Sequence, residues 1–423
     1  MAALGLHANT NNQHAMLLRY CREVKPSAVK LLDPNRQVVD DIRAASPGTI
    51  IIGRQYWSDQ RLDKYGEFRG AAVETARRSG VDYMEGYNEW GLTRQNASSF
   101  AGAELSLARD LNAHGIGAAI GGFSTGYLDS NLDGDRSWTH FREAFDYMER
   151  AGNLANGRPK CVLHFHEYSH YLQYGVHLPG SVLGPDQWDH AGHKWTGFAP
   201  SREYYENPAL EGWWTLRYRK LWRVLRTQGY RNIHGLITEF GCDDVNPRPC
   251  GQGRGWRDFT SCEHFTDPRV GDFVDQCAWY MRQVGRDPYI LGVVDFGFAT
   301  ADPAWLSFDF SQTPREFDKL IATQRAIGAP VPTPIPPRPS PSPTPLPTLR
   351  PRVTAAVGVF AVPAPGEGAA AFAGRAAGWP EAPFGKRAEW AREIAGANNL
   401  ATSTFAAGRA YRLPASWFAA REV

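Results

Sequence analysis

The sequence predicts a single (β/α)₈ TIM barrel, followed by a disordered proline-rich linker and a small α+β module. Three observations carry this. Eight short apolar or β-branched runs alternate with helical patterns, as parallel strands and their crossover helices do. The alternating region is about 325 residues long, a common size for one such barrel. The tract 330–351, PVPTPIPPRPSPSPTPLPTLRP, is half proline and separates it from the last 70 or so residues.

The strand candidates are AALGLHA (2–8), AVKLLD (28–33), TIIIGRQ (49–55), VDYMEGY (81–87), IGAAIGG (116–122), KCVLHFH (160–166), IHGLITEF (233–240) and YILGVVDFGF (289–298). Their nearly continuous apolar character fits strands covered on both faces. Helical spacing of three or four residues follows them. It links Leu17, Tyr20 and Val24; Val39, Ile42 and Ala45; Phe141, Phe145 and Met148; Leu210, Trp214, Tyr218, Leu221 and Leu225; and Phe273, Cys277, Met281 and Val284. Gly115 and Gly229 stand where helices would end. A doubly wound sheet is disfavoured because no G-x-G-x-x-G turn follows the first strand. In the linker, successive prolines fix φ and remove donors, giving an extended spacer of about 70 Å at ~3.1 Å per residue. The predicted boundaries are 1–327 for the barrel, 328–353 for the linker and 354–423 for the module.

Composition narrows the function. Lys and Arg number 46 against 44 Asp and Glu, a net charge of +2, so a phosphate-binding face for nucleic acid is not expected. No apolar run reaches the ~18 residues needed to span a bilayer. The start, MAALGLHANTNN, lacks the basic and apolar regions of a secretory signal. The six cysteines have no C-x-x-C spacing; Cys250 and Cys262 share one loop and can pair or stay free.

In a barrel, side chains at the C-terminal strand ends face the active site. Those ends carry His7, Asp33, Arg54, Asn88, Glu89, His166, Tyr168, Glu239 and Asp295. Glu89 ends the fourth strand in GYNEW and Glu239 the seventh in LITEFG, across the barrel mouth. Two carboxylates about 5–5.5 Å apart suit retaining glycoside hydrolysis, one as nucleophile and one as acid/base. Arg54 is placed to keep Glu239 ionised, Tyr168 to orient it, and Asn88 to bond a sugar 2-hydroxyl. Trp57, Trp90 and Trp138 are candidate sugar platforms, as are Trp188, Trp195, Tyr204 and Tyr205 in the insertion after the sixth strand. Asp189, His190 and His193 in that insertion read as a solvated cluster rather than a metal site.

The N-E pair at strand four, H-x-Y at strand six and E at strand seven resemble the clan-A retaining glycoside hydrolases, the superfamily of cellulases, β-mannanases and related β-glycosidases. The resemblance covers the whole barrel. It implies that Glu89 is the acid/base beside Asn88, that Glu239 is the nucleophile, and that His166 and Tyr168 form the strand-six pair. It also implies an oligo- or polysaccharide substrate and no cofactor or metal. Many relatives end strand eight in a Trp platform; this chain has VVDFGF there. A non-catalytic carbohydrate-binding barrel is the alternative. A third reading is a zinc peptidase, since residues 166–170 spell His-Glu-Tyr-Ser-His; on a helix both histidines would share a face. The strand-like KCVLHF before it argues against that. Residues 385–414 resemble the latter half of a LysM module, which implies a cell-wall N-acetylglucosamine glycan as partner and an extracellular or wall-associated protein.

Overall fold

A computed structural model of the chain describes residues 3–125, 134–169, 206–212, 214–243, 255–259 and 271–328, with short segments at 176–177, 188–189, 194–195, 360–361, 394 and 411–412. It falls into two compact units, Met1–Thr333 and Pro334–Val423.

The first unit is a closed, all-parallel barrel of eight strands in sequence order. They are β1 (Gly5–Ala8), β2 (Ala28–Leu32), β3 (Ile50–Arg54), β4 (Tyr83–Glu85), β5 (Gly117–Phe123), β6 (Cys161–Tyr168), β7 (His234–Gly241) and β8 (Ile290–Phe298). All eight coincide with the apolar runs of the sequence. The longer helices around them are α1 (His14–Val24), α2 (Arg36–Ala45), α3 (Tyr65–Ser79), α4 (Ala97–Ala113), α5 (Arg142–Ala151), α6 (Tyr218–Thr227), α7 (Phe273–Val284) and α8 (Pro314–Gly328). None of the described helices is long and apolar enough to cross a membrane.

The strand period of two divides each strand between two cores. Ala28, Ile50, Ile52, Tyr83, Ala119, Val162, Leu236 and Val294 pack together inside the barrel, while Val29, Ile51, Leu163, Ile237 and Val293 face the helices. One irregularity decides which way Glu239 points. On β7, Ile237 pairs with Phe165 but Glu239 pairs with the very next residue, His166, so the strand carries one extra residue there. Strict alternation from Leu236 would turn Glu239 outward. The bulge at Thr238 re-aims it inward, a common use of bulges beside active sites.

Two expectations are corrected. The helical spacing that included Leu210 and Trp214 overran, because α6 begins only at Tyr218. Leu216 has φ +59, a left-handed conformation that no α-helix accommodates. The buried carboxylate of Glu167, outward on β6, accepts from the Leu216 and Tyr218 amides and from the Tyr280 hydroxyl, fixing this helix start. The zinc-peptidase reading also fails. Residues 161–168 form a strand, so His166 points into the barrel and Glu167 away from it, toward the helices; His170 lies outside the described residues.

Burial pushes the Glu167 acid up to about 7, against the lowering effect of its hydrogen bonds. A carboxyl with a folded pKa above its unfolded value loses stabilisation as pH rises between the two. Glu167→Gln removes that titration. Its stability relative to the native chain therefore rises by about 2–3 kcal/mol between pH 4.5 and 7.5. Chemical denaturation of both proteins at the two pH values checks this; a pH-independent offset contradicts it.

In the second unit, Phe360–Ala361 pairs antiparallel with Tyr411–Arg412, and Ile394 is buried. The short strand at 360–361 is thus the partner of the one at 411–412.

Candidate active site

Inward-facing residues at the C-terminal strand ends surround an open cavity of about 690 Å³. His7, Arg54, Asn88, Glu89, Tyr168 and Glu239 line its polar floor; Tyr56, Trp214, Phe296 and Trp305 line its walls. Glu89 and Glu239 meet at one imidazole. His166 Nδ1 lies 2.8 Å from Glu89 Oε1 and 3.4 Å from Glu239 Oε2. Sharing that nitrogen bounds the separation of these oxygens at about 6 Å, short of the roughly 6.5–9.5 Å typical of inverting pairs.

The two carboxylates have opposite surroundings. Glu239 is buried, and its oxygens are held on both sides. Tyr168 donates its hydroxyl to Oε2 at 2.7 Å. Lys30 Nζ at 2.8 Å and Arg54 Nη1 at 3.1 Å donate to Oε1, with His7 Nδ1 3.7 Å away. Burial alone would push the Glu239 acid up. His166, Lys30, His7 and Arg54 together outweigh it and hold the carboxyl well below its ordinary range. Burial and the neighbouring Glu239 and Glu89 charges push the Tyr168 phenol well up, so it is a donor at any working pH. Burial, then Lys30, hold His7 well below the usual imidazole range. Glu89, by contrast, keeps about a third of its side chain in solvent, at 36% exposure. Its backbone has φ +46, a region that disfavours side chains and costs of order 1–3 kcal/mol. Its amide is tied to the Gly122 carbonyl at 3.0 Å.

Beneath Glu239 sits a layer that the sequence reading missed. Lys30 is fully buried and bridges Glu239 to Glu85, with Nζ–Oε2 of 2.8 Å to the latter. Glu85 is also 3.4 Å from His164 Nδ1, which contacts Thr238 Oγ1 at 3.1 Å. Burial opposes the Glu85 charge, but Lys30 and His164 prevail and hold its acid far down. These residues sit inside AVKLL, YME and CVLHF, runs whose apolar neighbours mark them as strands. Their signal is parity: Ala28–Lys30–Leu32 is one face, so a lysine there enters the barrel and needs a counter-ion.

Three proposed site residues are placed elsewhere. Asp295 follows the inward Val294 and so points outward, behind the barrel wall. It is fully buried, and among the described residues neither carboxylate oxygen is hydrogen-bonded; burial and then Asp309 push its acid well up. Trp57 turns its ring onto Phe68 at 6.0 Å, and it is the preceding Tyr56, 58% exposed, that lines the cavity. Trp90 stacks on Phe100 at 5.1 Å and donates its indole N–H to the Gln60 carbonyl at 2.6 Å. Trp138 is likewise buried packing. Trp188 and Trp195 pair through their backbones. Tyr204, Tyr205, His190, His193, Cys250 and Cys262 lie outside the described residues.

The strand-eight Trp expected of the resemblance is replaced in position. Phe296 enters the cavity from β8, and Trp305, from a short 3₁₀ helix (Pro303–Phe308), packs edge-on against it at 5.2 Å.

No protein-family model matches the chain, and no curated protein does. Among solved structures it is similar to a mutant of Bacteroides uniformis β-glucuronidase 2, at 9% identity and a TM-score of 0.44, over 77% of this chain but 35% of that one. It thus spans about a third of that enzyme's length. A plant β-glucan endohydrolase matches at 11% identity and TM-score 0.40, over 69% of this chain and 90% of that one. The catalytic domain of a mannanase from Streptomyces sp. SirexAA-E matches at 12% and 0.35, over 72% and 78%. At such identities nothing about the substrate carries over to this chain.

Proposed function

We propose that the barrel is a retaining glycoside hydrolase acting on β-linked glycans. The observation that carries this is the meeting of Glu89 and Glu239 across His166 in one open cavity, with Glu239 held in the ionised form by its cationic neighbours. Glu239 attacks the anomeric carbon from the α face, and Glu89 donates its proton to the departing glycosidic oxygen. Water, deprotonated by Glu89, then hydrolyses the glycosyl ester. Oε2 is the attacking oxygen. It accepts one hydrogen bond, from Tyr168, whereas Oε1 is occupied by Lys30 and Arg54. The Asn88 amide lines the cavity with its oxygen buried and, among the described residues, unbonded, available to a ring hydroxyl. Tyr56, Trp214 and Trp305 offer flat faces to pyranose rings, and the near-neutral chain suits an uncharged polysaccharide.

Proton NMR of the first-formed product tests this, with cellulose, mannan, xylan, β-1,3-glucan, chitin and peptidoglycan fragments as substrates. The β-anomer is expected first; an initial α-anomer would mean inversion and exclude the covalent step.

Tyr168→Phe removes a charge-assisted hydrogen bond from the nucleophile. Such bonds contribute about 1.5–3 kcal/mol, so kcat falls about 10- to 100-fold with KM little changed. Steady-state kinetics on an aryl glycoside check it; an unchanged kcat contradicts the orienting role.

For residues 354–423 we propose a LysM-like module that binds N-acetylglucosamine glycans, joined by the proline-rich segment, in an extracellular or wall-associated protein. The antiparallel pairing of residues 360–361 with 411–412, together with the burial of Ile394, supports it. Pull-down of the full chain by insoluble chitin, lost on deleting 354–423, tests it.

A further inference from the structure

Outside the cavity, one buried carboxylate is tied to the acid/base. Glu104, on α4, is buried and does not line the cavity. Its Oε1 accepts from the Tyr65 hydroxyl at 2.6 Å and the Tyr87 amide at 3.3 Å; its Oε2 accepts from the Gly121 amide at 2.9 Å. Tyr87 lies two residues before Glu89, and Gly121 precedes the Gly122 carbonyl that holds the Glu89 amide at 3.0 Å. One carboxylate therefore spans the ends of β4 and β5, the two segments that fix the Glu89 backbone. One glycine makes room for it, and a second lets the β4 and β5 ends approach each other. A Cβ on Gly86 would lie 2.0 Å from Glu104 Oε1, and one on Gly122, itself at φ +52, would lie 2.2 Å from the Tyr87 carbonyl oxygen.

We infer that Glu104 is a positioning residue that clamps the β4 and β5 ends and so holds Glu89 in its strained, proton-donating geometry. Three donors converge on it and favour the ionised, acceptor-only form, although burial pushes its acid up to about 7. In Glu104→Gln, the amide NH₂ would face one backbone N–H, releasing either Tyr87 or Gly121. The strain at Glu89, φ +46, persists only while its surroundings over-determine it, so the backbone relaxes and the carboxyl drifts.

The inference rests on Glu89 being the acid/base, and leaving-group dependence separates the two. A phenyl glycoside needs proton donation to depart; a 2,4-dinitrophenyl glycoside does not. Glu104→Gln should lose about 10- to 100-fold in kcat/KM on the phenyl substrate, the scale of a misplaced catalytic group, and little on the dinitrophenyl one. Tyr65→Phe, which removes one donor and keeps the fold, should show a smaller loss of the same kind. Equal losses on both substrates, or none, would overturn the clamp if Glu89→Ala discriminates between them. If Glu89→Ala itself does not discriminate, the acid/base assignment falls first.

Discussion

Glu239→Ala is expected to abolish turnover of an aryl β-glycoside, lowering kcat by on the order of 10⁴-fold or more, because no covalent intermediate can form. The loss should be chemical rather than structural. Lys30 keeps Glu85 as counter-ion and Arg54 is 15% exposed, so neither cation is left buried and wholly alone. Added azide can occupy the space vacated by the carboxylate. It attacks from the same α face, so the rescued product is the α-glycosyl azide. Residual activity within tenfold of the native chain, measured on folded protein, would remove Glu239 from the mechanism.

Glu89→Ala should fail differently. The first step survives on leaving groups that depart unprotonated, but the glycosyl-enzyme waits for a base that is gone. Such a variant shows a burst followed by turnover reduced about 10²- to 10⁴-fold. Azide needs no deprotonation and attacks the intermediate from the β face, restoring turnover and giving the β-glycosyl azide. The two variants thus yield opposite azide anomers. That opposition distinguishes nucleophile from acid/base without a substrate-bound structure. The same anomer from both would contradict the division of roles.

The barrel was legible because its signals are local. Each strand is a short apolar run, each helix a three-to-four spacing, and closure follows from their number and order. Arg54, Asn88, Glu89, His166, Tyr168 and Glu239 were legible too, since polar residues at the ends of apolar strands have one place to go. The misplaced strand residues share one cause: a position at a strand end does not by itself say which face the side chain takes. Parity from Val294 turns Asp295 outward, and parity from Ala28 brings Lys30 in beneath Glu239. Parity alone would also have misplaced Glu239, which faces inward only through the bulge at Thr238, and nothing in LITEFG announces a bulge. The platforms were beyond local reading. Tyr56 and Trp57 are adjacent aromatics; only the contact of Trp57 with Phe68 decides which is left for the cavity. Trp305, seven residues past the end of β8, reaches the cavity through a turn whose path the sequence does not dictate.

A mechanism-based probe addresses the central claim most directly. A 2-deoxy-2-fluoro β-glycoside with a dinitrophenyl leaving group slows both steps, but the activated leaving group lets the covalent intermediate accumulate. After proteolysis, mass spectrometry should find one fluoroglycosyl group on the peptide containing Ile237–Gly241, attached at Glu239, with none in the Tyr168→Phe, Glu239→Ala double variant. Labelling at another carboxylate, or an active enzyme that never carries the label, would contradict double displacement through Glu239.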